Sequence, residues 1–276
     1  MMLFSFRFIT YPLITIFILY TCHNALASNN DSMITSENFE SQLRLLLHNH
    51  PELVLDVLRE HSELVLEIAQ QGSKQRQHKS LIAQWKKDIT TPKNMHLENR
   101  PIRGNPKAPV TIVAFSDFTC LYCSQASKTV QQMLIDYKDN VKYIFKHFPL
   151  KGHTISQQAA IYFIAASFQS NEKAWALYDL LFQKRDELLQ NGEQTLKQAV
   201  KEVGLDIKKL MSDLNKAEVN NILGQDIKDA AQLDISGTPY FIVNNLILRG
   251  ALPPELFTEA INMALKNTKE VSTSPK

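Results

Sequence analysis

Nine residues constrain this chain more than any others: Phe115-Ser116-Asp117-Phe118-Thr119-Cys120-Leu121-Tyr122-Cys123. Before them, Val110 to Phe115 is a short β-branched, apolar run opened by Pro109, as a buried strand is. After them, Val130, Met133, Leu134 and Tyr137 fall at i, i+3, i+4 and i+7, the spacing of one helix face. The two cysteines therefore sit where a strand hands over to a helix N-terminus. Unpaired backbone N–H groups and the helix dipole favour negative charge there, which suits a thiolate. At i, i+3 the two sulfurs share one face of the first turn and can close a small ring.

A reactive dithiol competes with three plainer readings. Half of a zinc site needs a second ligand pair, and none is present; His48 and His50 are two apart on a helix and do not face alike. Buried inert cysteines at redox spacing behind a strand would be a coincidence. A structural disulfide across so short a loop constrains the unfolded chain least.

The N-terminus bears on the compartment. Arg7, an apolar core from Phe8 to Tyr20 and the small-x-small site Ala25-Leu26-Ala27 read as a secretory signal over residues 1–27. The apolar run, interrupted by Pro12, is short for a bilayer span, and Cys22 lies in a poor context for lipidation. Loss of the signal removes Cys22 and leaves Cys120 and Cys123 as the exported chain's thiols. The chain cannot then be a disulfide-stapled scaffold, and its one internal bridge is the motif itself. The formal net charge of +2 falls by one without Arg7, giving no sign of a nucleic-acid or anionic-membrane partner.

Residues 28–90 read as an N-terminal helical region and connecting helix. Ser36-Glu37-Asn38-Phe39 is a helix start, and Leu43, Leu46 and Leu47 keep helical spacing. His50-Pro51-Glu52-Leu53-Val54-Leu55 is echoed eleven residues on by His61-Ser62-Glu63-Leu64-Val65-Leu66, with Pro51 opening a new helix. This segment has more Leu and Val than so small a unit can bury, so residues 36–71 are expected to form a homodimer interface. Gly72 to Ser80 reads as a hinge or a solvated helix. Leu81, Ile82 and Trp85 resume the period, and Arg100 to Pro109 reads as a loop.

Val141 to Phe148 reads as a second strand ended by Pro149. Helical pieces follow at Ala159–Phe168, Glu172–Leu189, Glu193–Val203 and Ile207–Leu233. Tyr240–Val243, Asn244-Asn245 and Leu246–Leu248 form a hairpin pattern, the two Asn suiting a type I′ turn. A helix from Pro254 to Leu265 closes the chain, with 269–276 as a flexible tail.

From about Asn105 to Leu265 this pattern resembles the DsbA family of thioredoxin-fold oxidoreductases. The resemblance rests on Phe118-Thr119-Cys120-Leu121-Tyr122-Cys123, on Phe148-Pro149-Leu150 with Ala159-Ala160, and on Gly237-Thr238-Pro239-Tyr240-Phe241. It implies an α/β fold: a thioredoxin-like domain at 91–268 with an inserted helical subdomain at about 155–234, preceded by a small all-α segment. It also implies that Cys120 attacks, that Cys123 resolves, and that Pro239 is cis. Thr238 and Pro239, with Leu121 and Tyr122, would bind substrate. The family needs no cofactor or metal. Relatives often have a buried Glu six residues before the first Cys; here that position is Ala114. Asp117 reads as a partly exposed cap, Lys146 as a weak candidate for proton transfer, and His147 and His153 as surface or packing residues.

The expected function is a periplasmic thiol:disulfide interchange protein that forms or isomerises disulfides in exported proteins. Its clients carry free thiols or wrong disulfides, and a membrane redox partner resets its dithiol. The Thr before Pro239, the motif Tyr and the N-terminal segment resemble dimeric isomerases. The alternatives are a holdase chaperone for unfolded exported proteins and, more weakly, Cu(I) binding by the dithiol. Because Leu121-Tyr122 gives the thiolate no positive charge, the dithiol should be less oxidising than that of relatives with His before the second Cys. Equilibration with glutathione measures this, and a potential at or above theirs contradicts it.

Overall fold

The computed structural model describes residues 36–152 and 154–273. The expected signal at 1–27, His153 and residues 274–276 of the expected tail lie outside them. The chain divides into two compact units, Met1–Lys74 and Gln75–Lys276.

In the first unit lie α1 (Ser36–Asn49), α2 (Pro51–Glu60) and the start of α3 (Ser62–Asp88). Pro51 occupies the first turn of α2, where its missing N–H has no helical partner to lose. No residue of α2 is buried. The stretch Gly72 to Ser80 is uninterrupted helix, of the two expectations the solvated one.

The second unit is built on a five-stranded sheet in the order β1-β3-β2-β4-β5. The strands are β1 (Ile102–Gly104), β2 (Val110–Ser116), β3 (Val141–His147), β4 (Tyr240–Val243) and β5 (Leu246–Arg249). β2 and β3 are parallel and joined through α4 (Leu121–Asp136); the other pairings are antiparallel. Parallel pairing requires such a crossover. Central β2 is covered on both faces, which is why its sequence is almost continuously apolar. Ile112 and Ala114 join Val130 and Met133 of α4 in the larger core, while Val113 and Phe115 turn to the smaller core with Ile144 and Ile242.

Six helices lie between β3 and β4: α5 (Thr154–Ser167), α6 (Asn171–Gln183), α7 (Arg185–Asn191), α8 (Glu193–Glu202), α9 (Ile207–Asp213) and α10 (Ala217–Gln232). The expected helix over 172–189 is broken at Lys184 and the one over 207–233 at 214–216. Neither break has a Gly or Pro to announce it. At the first, the Lys184 ammonium pairs with Glu202 (2.8 Å) and the Arg185 guanidinium turns to the Thr119 carbonyl (2.7 Å). The closing helix α11 spans Pro254–Thr273, beyond the expected end at Leu265.

Two expectations for the sheet are corrected. Residues 102–104 form edge strand β1 rather than loop. Gly104 has φ +90°, and a Cβ there would meet the Val141 carbonyl oxygen at 2.7 Å, so close strand pairing needs glycine. In the hairpin only Asn244 has a left-handed φ (54°), so the turn is not type I′. Asn244 Oδ1 accepts from Thr111 N (2.8 Å), while Asn245 accepts from Lys93 N and donates to the Ile89 carbonyl. The pair anchors the incoming chain to the sheet.

On the smaller-core face the Lys146 ammonium is fully buried and donates to Asp226 (2.8 Å), Asp229 (2.6 Å) and the His96 carbonyl (2.8 Å). Arg100 also binds Asp226 (2.7 Å), and Asp226 accepts from His147 N (2.9 Å). Burial opposes ionisation of Asp229, but Lys146, His96 and Gln225 outweigh it and hold this carboxyl well below its ordinary range. The network fixes α10 to β3. Replacing Lys146 with Met would leave Asp229 buried without its main cation and should destabilise the domain by about 3–5 kcal/mol. Chemical denaturation measures this; a loss under ~1 kcal/mol would show the network to be dispensable.

Candidate redox site

Cys120 is the N-cap residue of α4, in extended conformation (φ −77°, ψ 125°), and Cys123 lies in the first turn. The Cys120 N–H donates to the Asp117 carbonyl (3.2 Å), and the Cys120 carbonyl accepts from Ser124 N (3.1 Å). This tight turn directs the first amides of the helix at the Cys120 sulfur. Both thiols are unbonded; Cys120 is 8% exposed and Cys123 2%. Leu121 and Tyr122 between them are 51% and 60% exposed.

Sheet register brings the distant part of the site into place. Phe115 pairs with Tyr240 across β2 and β4, which sets the Thr238-Pro239 loop beside the motif. The Thr238–Pro239 bond is cis, as the resemblance implied. The Thr238 carbonyl accepts from Cys120 Sγ at 3.6 Å. A cavity of about 250 Å³ opens beside this loop, bordered by Thr238, Pro239, Tyr240 and Arg249 among others.

The two thiols have opposite acidities. A hydrogen bond from Cys123 is the main cause that lowers Cys120 from 9.0 to about 5. Burial opposes it, while Thr238 and the backbone N–H groups of Cys123 and Tyr122 assist. Burial, followed by the bond to Cys120, raises Cys123 far above its ordinary value, against a smaller pull from Ser116. One negative charge is therefore shared by the pair and resides on the outer sulfur.

Of the expected site residues, Cys120, Cys123 and Thr238 form one constellation, with Pro239 beside it. Leu121 and Tyr122 stand exposed at its rim. Asp117 is not partly exposed: at 3% exposure it accepts four hydrogen bonds, because the motif turn folds under the loop after β3. Ala114, at the position of the relatives' Glu, is fully buried. Lys146 is fully engaged with Asp226 and Asp229. His147 packs on Phe145 (4.9 Å between ring centroids) and Phe163 (5.3 Å), and burial lowers its pKa to about 4. Ser116 and Arg185 were missed by the sequence reading. Ser116 ends β2, where a hydroxyl is unremarkable, and Arg185 lies at the unannounced helix break.

A dithiol at a helix mouth, facing a cis-proline loop on this sheet, defines a thioredoxin-fold redox protein. The family model described as Thioredoxin matches residues 96–263, and the chain belongs to that family. A thioredoxin-like oxidoreductase from Silicibacter pomeroyi is 31% identical, with TM-score 0.54, over 61% of this chain and 94% of that one. The thiol-disulfide exchange protein alpha-DsbA2 from Wolbachia pipientis shares the fold at 21% identity and TM-score 0.55, over 69% of this chain and 97% of that one. The Na(+)/H(+) antiporter NhaA 3 of Salinispora tropica is 32% identical over 169 residues, covering 61% of this chain and 25% of that protein. This chain thus spans about a quarter of the length of the curated relatives it matches. Among the described residues no helix is long and apolar enough to cross a membrane. Fold and kinship thus make the chain a thioredoxin-family protein that carries a Cys-x-x-Cys dithiol.

Removing the Cys123 donor should uncover its effect on its neighbour. In Cys123→Ala the pH midpoint of Cys120 alkylation should rise from about 5 toward the ordinary thiol value near 8.5. Alkylation rates across pH decide this, and an unchanged midpoint would show that Cys123 does not stabilise the thiolate.

Proposed function

We propose that this chain is an exported, periplasmic thiol:disulfide interchange protein that forms and isomerises disulfide bonds in exported proteins. The observation that carries the proposal is the polarised pair: a Cys120 thiol lowered to about 5 beside a buried Cys123 that remains protonated.

At neutral pH Cys120 is a thiolate, the attacking species in exchange. It attacks one sulfur of a client disulfide, forming a Cys120–client bond and releasing the other client sulfur as a thiolate. A second client thiolate can then attack the client sulfur of the mixed disulfide, freeing Cys120 and completing an isomerisation with no net electron transfer. Alternatively, Cys123 loses its proton to solvent and attacks Cys120. The client leaves reduced, its two electrons supplied by the dithiol, which becomes a disulfide. The reverse sequence oxidises a client dithiol, and a membrane redox partner then resets the protein. The open backbone edge at Thr238-Pro239 and the exposed Leu121 and Tyr122 are the surfaces against which a client segment would lie.

A low Cys120 pKa favours the reduced state. In the reduced protein this contribution is fully present above the unfolded thiol's pKa near 8.5 and is lost as pH falls through about 5. The stability gap between reduced and oxidised protein should therefore shift against the reduced form from pH 8 to pH 4, as paired thermal melts would measure. A gap independent of pH contradicts the thiolate assignment.

Isomerisation benefits from two dithiols facing one client, and residues 36–71 are the segment proposed to pair two copies. Leu45, Val57, Leu64, Leu66 and Ile68 there are each more than half exposed, surface that a second copy would cover. Deleting residues 36–71 should abolish recovery of a scrambled multi-disulfide substrate while preserving dithiol oxidation; undiminished isomerisation sinks the dimer proposal. The same exposed surface favours a second reading as a holdase. Cys120→Ser separates the two, because a holdase keeps its anti-aggregation effect and an interchange protein loses its function.

A further inference from the structure

Thr119, immediately before the reactive thiol, is held from both sides. Its N–H and Oγ1 donate to Asp117 Oδ1 at 2.7 and 2.8 Å, and its carbonyl accepts from Arg185 Nε at 2.7 Å. Asp117 Oδ2 accepts from Leu150 N (2.7 Å) and Ser156 Oγ (2.6 Å). One buried carboxylate thus joins the motif turn, the loop after β3 and the first turn of α5. The guanidinium reaches the turn from α7, where it also pairs with Asp186 at 2.6 Å. Neither Asp117 nor Arg185 hydrogen-bonds to a sulfur; both act on the peptide unit that leads into Cys120.

We infer that Asp117 and Arg185 are positioning residues for thiol-disulfide exchange, clamping Thr119 so that the first α4 amides stay aligned on the Cys120 sulfur. The inference deepens the interchange reading and rests on it. Hydrogen bonds to a thiolate weaken steeply with angle, so a loosened turn raises the energy of the charged sulfur even if every donor remains nearby. The clamp also ties the redox turn to α5 and α7, linking the inserted helices mechanically to the sulfur. The groups bearing directly on Cys120 are Cys123 and the Tyr122 amide on α4 and Thr238 on the loop before β4.

The sign of the effect separates this role from two others. If Asp117 acted on the thiolate chiefly as a nearby negative charge, neutralising it would favour the thiolate and lower the Cys120 pKa. If it were merely structural, its loss would reduce stability without moving the pKa. Positioning alone predicts a rise. Asp117→Asn keeps the shape and can still accept from Thr119, but turns an NH₂ toward the Leu150 N–H and strands that donor. Arg185→Gln removes the other arm, and Arg185→Lys keeps a donor and a charge.

The experiment is the pH profile of Cys120 alkylation by iodoacetamide in full-length reduced protein, with melting temperatures measured in parallel. Asp117→Asn and Arg185→Gln should each raise the midpoint by about one unit, a tenfold loss of thiolate at pH values below it. Arg185→Lys should restore part of the shift. An unchanged or lowered midpoint in both variants overturns the inference, whatever the melting temperature does. If Asp117→Asn fails to fold, Ser156→Ala takes its place: it removes a donor to Asp117 without changing any charge, and a midpoint that stays put overturns the inference. Incubation of the reduced, unmodified protein with oxidised glutathione tests the underlying reading separately: absence of a Cys120–Cys123 disulfide there removes the interchange function, while the alkylation midpoints still judge the clamp.

Discussion

The hydrogen bond from the Cys123 thiol to the Cys120 sulfur governs the chemistry of this protein. While Cys120 is free, burial keeps the Cys123 thiol protonated and it serves as a donor to Cys120, so the negative charge that two cysteines might have contested settles on the outer one. That arrangement needs an unusually exact backbone. α4 must begin at Cys120, the inner sulfur must lie one turn on, and the loop before β4 must bring Thr238 to the outer sulfur at the same time. The β2–β4 register meets the last condition by placing Thr238 beside the motif.

The remainder of the second unit makes this arrangement rigid. β2 is enclosed between β3 and β4 and covered on both faces, so the strand end from which the motif departs has little freedom. Phe118, inside the motif itself, packs on Phe145 and Phe182, both at 5.0 Å between ring centroids. The redox turn is thus anchored in the aromatic core shared with the inserted helices. On the opposite face the Lys146, Asp226 and Asp229 network secures α10. Such a buried network specifies position more than it adds stability, since its charges must first be stripped of water.

The first unit follows a different principle. Its helices expose Leu, Val and Ile in a density that a folded monomer seldom leaves to water. The second unit buries its apolar residues around one sheet, so the two parts of the chain obey opposite rules of burial.

The sequence by itself determined everything that depends on local pattern and residue chemistry: the strand before the motif, the helix after it, the paired thiols, the second strand and the hairpin position. Pattern suffices there because period-2 and period-3.6 burial act over a few residues. Tertiary structure decided the rest. It made residues 102–104 an edge strand, since so short a stretch between Pro101 and Pro106 gains strand character only by pairing with β3. It broke two helices where no Gly or Pro stands, turned Asn245 to the incoming chain instead of a type I′ turn, and buried Asp117 under the loop after β3. The acidity of Cys120 was likewise beyond sequence, because it arises from how the Cys123 thiol is held beside it and where Thr238 falls. Both are fixed by contacts across more than a hundred residues of chain, which no local pattern encodes.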